Sequence, residues 1–286
     1  MAIGIALASA FFAGLTTILA KIGVKHTDST VATAIRTVGV LFFSIIMVLI
    51  VGSQATISEI SSKTWLFLIL SGTATGLSWL CYFKALQLGE VNKVTPIDKS
   101  STVLTILLAF IILGEPISLL RILALVLYLV GTFLMIQKKQ SAGETKSRNW
   151  IIYAILSAVF ASLTSILGKI GISGVESNLG TAIRTAVVLV LAFLMVFVSG
   201  KSQELKMLDK KDLAFIIASG FTTGASWLCF YFALQIGEAS IVVPIDKLSI
   251  VFTMVFSAFF LKECFRKKEF LGLALILIAT FLLVFG

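Results

Sequence analysis

Adding 148 to a residue number in the first half of this 286-residue chain lands on its counterpart in the second half, almost without a gap. Thr33-Ala34-Ile35-Arg36-Thr37 returns as Thr181-Ala182-Ile183-Arg184-Thr185. Ser71-Gly72, Thr75-Gly76 and Ser78-Trp79-Leu80-Cys81 return as Ser219-Gly220, Thr223-Gly224 and Ser226-Trp227-Leu228-Cys229. Pro96-Ile97-Asp98-Lys99 returns as Pro244-Ile245-Asp246-Lys247, and Lys21, Gly23, Gln87, Gly89 and Glu90 have partners in Lys169, Gly171, Gln235, Gly237 and Glu238. Chance does not supply so many matches in one register, so the fold must be one that half the chain forms twice. A polar stretch over Gln137–Asn149, with Lys138, Lys139, Lys146 and Arg148, separates the copies and reads as a linker. The expected units are residues 1–138 and 149–286.

Each copy is built from apolar runs of about 20 residues that do not alternate with polar ones, which is the helical pattern. With 58% apolar and 13% charged residues and a mean hydropathy of +1.08, too few polar side chains remain to coat a soluble globule. In hydrocarbon every backbone amide and carbonyl must be satisfied internally, and without alternation a closed barrel is excluded. The runs place spans near residues 3–23, 31–52, 64–87, 94–114, 118–137, 150–171, 179–199, 213–236, 240–261 and 270–285. The segment after Met1 has no basic leader and no small-residue cleavage site before a polar sequence, so it reads as the first span. The expected fold class is an all-α integral membrane protein of ten transmembrane helices. Five spans per copy is an odd number, so the second copy enters the bilayer reversed. The result is two inverted five-helix repeats, an architecture through which many carriers obtain two mirrored access states.

Short loops after the odd-numbered spans carry Lys21, Lys25, Lys93, Lys138, Lys139, Lys146, Arg148, Lys201, Lys206, Lys210, Lys211, Lys262, Arg266, Lys267 and Lys268, whereas the opposite side holds Lys63, Arg121 and Lys169. The lysine and arginine bias puts the first set in the cytoplasm and both termini outside. The net charge of +9 is largely this topogenic bias, and its scatter over separate loops argues against a nucleic-acid partner. Cys81, Cys229 and Cys264 are isolated thiols and His26 is the single histidine, so neither a disulfide framework nor a metal site is expected, and no cofactor. A membrane-embedded lipid enzyme would need a catalytic constellation that these separated groups do not provide. No phosphate-binding loop of the G-x-x-x-x-G-K-[ST] type is present.

Candidate functional residues are the polar groups inside apolar spans, where a charge costs several kcal/mol unless paired or hydrated. Arg36 lies about one turn inside the second span, and Asp98 and Lys99 about one turn inside the fourth. Both helices start from the same face, so the three can meet at one depth. Arg184, Asp246 and Lys247 form the same set at the opposite face, giving one Arg–Asp–Lys cluster near each mouth of a central path. Each cluster gates or binds a solute, or its Arg–Asp pair is a static bridge with the lysine snorkelling to the interface. A static pair leaves one cation over, which favours a ligand bearing a carboxylate or other negative charge. Lys84 is a further basic residue inside a span. Nearer mid-membrane, Thr75, Ser78 and Trp79, with Tyr82 a turn on, and Thr223, Ser226 and Trp227, with Tyr231, set hydroxyls and indoles on a candidate cavity wall. Helix packing through small residues accounts better for Gly72, Gly76, Gly220 and Gly224. Pro96 and Pro244 read as first-turn residues of the fourth and ninth spans, where a missing amide costs little, and Glu90 and Glu238 as solvated loop residues.

The duplication, the arginine early in the second span of each copy (Arg36, Arg184), the proline opening the fourth, and the run ending in Leu113-Gly114-Glu115 before Pro116-Ile117-Ser118 resemble the EamA family of the drug/metabolite transporter superfamily. The resemblance covers essentially the whole chain, although the second copy has Leu261-Lys262-Glu263 without the glycine. It implies a ten-helix basket with alternating access, a cavity walled by spans three, four, eight and nine, and both termini in the cytoplasm, opposite to the loop charges. It assigns no role to the aspartate and lysine of the Pro-Ile-Asp-Lys runs. Together these readings predict a secondary-type carrier of a small organic solute, anionic or zwitterionic, in a prokaryotic plasma membrane. Its partners are the solute and the bilayer, a monomer suffices, and a dimer stays open. A lipid-carrier flippase of the same fold is the alternative.

Overall fold

The computed structural model describes residues 1–23, 27–88, 94, 97–98, 100–116, 118–135, 149–206, 208–261 and 267–285. Lys99 and Pro96, Glu90, Lys262 and Glu263 lie outside them. Among the described residues the chain is helical, without strands. We number the α-helices α1 (Ala2–Gly23), α2 (Ser29–Val51), α3 (Ser62–Leu88), α4 (Ser101–Ile112), α5 (Leu119–Met135), α6 (Asn149–Ile172), α7 (Ser177–Val198), α8 (Lys210–Ile236), α9 (Ala239–Asp246), α10 (Ser249–Leu261) and α11 (Lys267–Phe285). Among the described residues seven stretches are long and apolar enough to cross a membrane, the seventh being α9 and α10 together, and Ser101–Ile112, Leu119–Leu134 and Phe270–Val284 are shorter apolar helices.

Two expectations are corrected. The ninth span, expected as one helix over 240–261, is broken at Lys247-Leu248, which is why eleven helices are described where ten spans were expected. Pro244 is the sixth residue of α9, not a first-turn residue; lacking an amide, it leaves the Ser240 carbonyl without its usual i+4 donor. Two residues further on, the α pattern gives way to tighter bonds: the Leu248 amide donates to Ile245 O at 3.0 Å and the Val251 amide to Leu248 O at 2.8 Å. The same break occurs one repeat earlier, where the Ser100 amide donates to Ile97 O at 3.2 Å and Ser100 Oγ to the same carbonyl at 2.6 Å. Among the described residues each copy therefore shows a turn two residues after its aspartate, at Ser100 and at Leu248.

Helix starts follow the repeat as well. The Asp28 carboxylate accepts the Thr30 amide at 2.8 Å to open α2, and Glu176, its counterpart at the 148 offset, accepts the Asn178 and Leu179 amides at 3.0 Å to open α7.

The chain divides into two compact units, and each draws on both halves of the sequence. The first comprises Met1–Thr73, Leu167–Gly237 and Ile245–Glu263. Within it α1 packs on α8 and α10, and α2 on α7 and α8. The crossings are close enough to require glycine. A Cβ on Gly72 would meet Arg184 O at 2.8 Å, and one on Gly220 would meet Arg36 O at 2.7 Å. The two contacts are equivalent under the 148 offset, so the backbone at each arginine is held against the glycine of the other copy.

The second unit comprises Ala74–Ile166, Glu238–Pro244 and Cys264–Gly286. Here α5 packs on α11, with Gly131 against Gly272 and Ile276, and Ala85, Val94 and Ala154 form a core flanked by Tyr82, Ile97, Trp150 and Tyr153. Gly114, at φ +67°, takes the left-handed turn that ends the α4 segment and delivers Glu115 inward. The buried Glu115 carboxylate then accepts the Ala239 and Ser240 amides at 2.6 and 2.8 Å, capping the start of α9. Glu238, expected as a solvated loop residue, is paired with Arg121 at 3.0 Å, and Arg121 also donates to Pro116 O at 2.7 Å.

Candidate functional site

In the first unit the polar residues gather where α9 breaks. Ser9, from α1 and fully buried, lies 2.6 Å from Asp246 Oδ1 and 3.1 Å from Ser226 Oγ on α8. A hydroxyl has one proton to give, and the short contact to a carboxylate takes it, so the Ser226 hydroxyl is left to donate to Ser9. Lys247 Nζ stands 3.8 Å from Asp246 Oδ2, beyond hydrogen-bond length, with its side chain 42% exposed against 14% for the aspartate. One turn or two along the same α1–α8 seam, Thr16 bonds Thr222 at 2.8 Å and lies 3.5 Å from Thr223, whose hydroxyl donates to Ser219 O at 2.6 Å.

The second unit repeats this pattern with the copies exchanged. Ser157 on α6, which is Ser9 plus 148, donates to Asp98 Oδ1 at 2.8 Å. Ser78 on α3, the counterpart of Ser226, donates to Ser157 O at 3.1 Å, and Thr75 donates to Thr164, the counterpart of Thr16, at 3.3 Å. A helix from one copy thus serves the broken helix of the other, twice, with the same residue types. Interhelical bonds of this kind contribute about 0.6 kcal/mol each.

The two arginines differ. Both sit seven residues into their helices, roughly 10 Å along the axis, which is two turns and not the one turn expected from the runs. Arg184 is 1% exposed. Its guanidinium stands 4.1 Å from the Tyr231 ring centroid and 5.1 Å from that of Trp227, and Nε donates to Ser71 Oγ at 3.4 Å. Arg36 is half-buried and has no hydrogen bond or ion pair among the described residues.

The candidate residues therefore distribute as follows. The first unit brings together Arg184, Trp227 and Tyr231, and around the break Ser226, Asp246 and Lys247, with Thr223 one turn before Ser226 on α8. The second brings together Thr75, Ser78 and Asp98 through α6, while Tyr82 packs on the Ala85–Val94–Ala154 core and Trp79 is half-buried. Arg36 belongs to the first unit and Asp98 to the second; Lys99 lies outside the described residues. Lys84 is exposed. Sequence reasoning missed Ser9 and Ser157, Thr16 and Thr164, and the Glu115 cap. The four hydroxyls were detectable as polar residues kept at the 148 offset inside apolar runs.

Comparison with known proteins gives a consistent picture. The model of the EamA-like transporter family matches residues 1–137 and again residues 148–285. An "uncharacterized transporter in cobO 3'region" of Sinorhizobium is 45% identical over 137 residues, covering 48% of this chain and 97% of the relative. That relative is thus about half as long as this chain. An uncharacterized transporter of Archaeoglobus fulgidus is 26% identical over 226 residues, covering 79% of this chain and 78% of its own. A solved crystal structure aligns over 99% of this chain and 97% of its own with a TM-score of 0.82 at 14% identity, a likeness of fold.

Proposed function

This chain belongs to the EamA-like transporter family, and on that premise we propose that it is a secondary-type carrier moving a small organic solute, anionic or zwitterionic, by alternating access. It is an integral membrane protein, a transporter rather than an enzyme. In this reading residues 1–138 and 149–286 are two copies of one five-helix unit, reversed with respect to each other in the bilayer of a prokaryotic cell. A relative of about half this length supports the duplication.

The observation that carries the proposal is the mirrored pair of broken helices, Asp246 held by Ser9 and Asp98 held by Ser157. An interrupted helix exposes backbone groups and a charge at depth, and carriers place solute sites at such interruptions. Two equivalent breaks served by exchanged helices give the two mouths. A solute that displaces the serine from one aspartate loosens that mouth while the other stays latched. Ser226 and Lys247 stand beside Asp246, and Ser78 joins Ser157 beside Asp98. Asp98→Asn and Asp246→Asn, made separately and reconstituted in proteoliposomes, are each expected to slow uptake of the transported solute by about tenfold, equivalent to about 1.4 kcal/mol in the barrier. Unchanged uptake and affinity in both variants returns the two breaks to scaffolding. Transfer of labelled lipid in the same vesicles, with no solute uptake, would favour the flippase.

A further inference from the structure

The repeat makes Arg36 and Arg184 equivalent in backbone, yet their side chains have different surroundings. Each carbonyl is pressed on the glycine of the opposite copy, Arg36 on Gly220 and Arg184 on Gly72. Ser71, Trp227 and Tyr231 stand against the Arg184 guanidinium. At the 148 offset their counterparts are Ser219, Trp79 and Phe83. Ser219 Oγ is already engaged, donating to Ile216 O at 2.7 Å, and a phenylalanine has no hydroxyl. Arg36 stands half-buried, two turns inside α2, with no hydrogen bond or ion pair among the described residues. A guanidinium at that depth without a counter-charge is costly, and such residues mark solute paths.

Resting on the carrier reading above, we infer that the two halves divide the work: Arg36 is the seat of a solute carboxylate, and Arg184 is committed to the protein. A guanidinium offers a planar fork of donors that a carboxylate fills with two parallel bonds. Charge balance favours a monoanion over a phosphate dianion, since Lys247, the cation at the break of α9, stands beside Asp246. The solute therefore enters with one orientation, its anionic end read by the first copy only.

Phenylglyoxal modification of the purified full-length protein, mapped by mass spectrometry at Arg36 and Arg184, tests this without knowledge of the solute. Arg36 is expected to react and Arg184 to be spared. Acetate, lactate or benzoate should suppress the Arg36 adduct at least fivefold, and acetamide, lactamide and benzamide should not. The carboxylates should also raise the unfolding midpoint of the wild type. That shift should be lost in Arg36→Gln and partly kept in Arg36→Lys, and the unliganded midpoint reports whether each variant folds. Equal reaction of both arginines overturns the inference, as does protection by the amides, protection by inorganic phosphate alone, or protection only in vesicles containing phosphatidylglycerol. A carboxylate response retained in Arg36→Gln overturns it too, and leaves the carrier reading standing on the aspartate variants. Loss of solute uptake by the wild type itself is what would remove the carrier reading.

Discussion

Replacing Glu115 with alanine is expected to destabilise the protein although the residue contributes nothing to a solute path. The Glu115 carboxylate is 9% exposed and is the acceptor for two α9 amides, Ala239 at 2.6 Å and Ser240 at 2.8 Å. Both bonds are charge-assisted, and both amides belong to the first turn of a helix, where no backbone acceptor exists for them. Removing the acceptor leaves two buried donors unsatisfied, at about 1–3 kcal/mol each. With some relief from water entering the gap, the net loss is about 2–4 kcal/mol. For a chain of this size that corresponds to roughly 5–15 °C in the unfolding midpoint. Glu115→Gln retains one amide oxygen but turns an NH2 toward one of the donors, so it should lose at least half as much. Scanning fluorimetry of the purified protein in detergent reads both, with Arg121→Met as a reference for the neighbouring pair to Glu238. A Glu115→Ala midpoint within 1 °C of the wild type, about the noise of a null substitution, would refute the assignment of Glu115 as the cap of α9.

Three further outcomes are expected. Gly72→Ala and Gly220→Ala each drive a methyl into a carbonyl, Arg184 O at 2.8 Å and Arg36 O at 2.7 Å, so each should cost about 1–3 kcal/mol, read as a lowered midpoint. Burial raises the Asp28 carboxyl, but its hydrogen bonds from Lys201 at 2.5 Å and from the Thr30 amide outweigh that and hold it below its ordinary value of 3.8. A depressed carboxylate stabilises above its unfolded value and ceases to do so as pH falls through the folded one. Asp28→Asn should therefore lower the midpoint at pH 7 by the equivalent of about 1 kcal/mol and converge with the wild type well below pH 4; a gap that persists at pH 2 contradicts this.

Most of the architecture was legible in the chain. The apolar runs locate most of the described helices to within a few residues, because in hydrocarbon a helix is the single solution for such a run, although seven of the described stretches, not ten, are long and apolar enough to cross. The helix breaks after Asp98 and Asp246 were not legible, since Pro-Ile-Asp-Lys reads locally as a helix start. The proline falls five residues later than that reading requires because Glu115, distant in sequence, caps α9 at Ala239 and Ser240. Ser9 and Ser157 are visible as hydroxyls kept at the 148 offset, but their role depends on which copy each helix packs against. The 148 offset establishes that Ser9 and Ser157 are equivalent, but equivalence does not say that α1 packs on α8, the other copy's helix.

Side-specific labelling bears most directly on the central claim, that one unit is present twice and reversed, with a mouth at each face. Asp98→Cys and Asp246→Cys, each in a background with Cys81, Cys229 and Cys264 changed to alanine, would be exposed to a membrane-impermeant maleimide in sealed, oriented vesicles. One cysteine should react from outside and the other after permeabilisation alone, with the order set by which face holds the termini. If both react from the same side, the second copy is not reversed and the two breaks do not form opposite mouths.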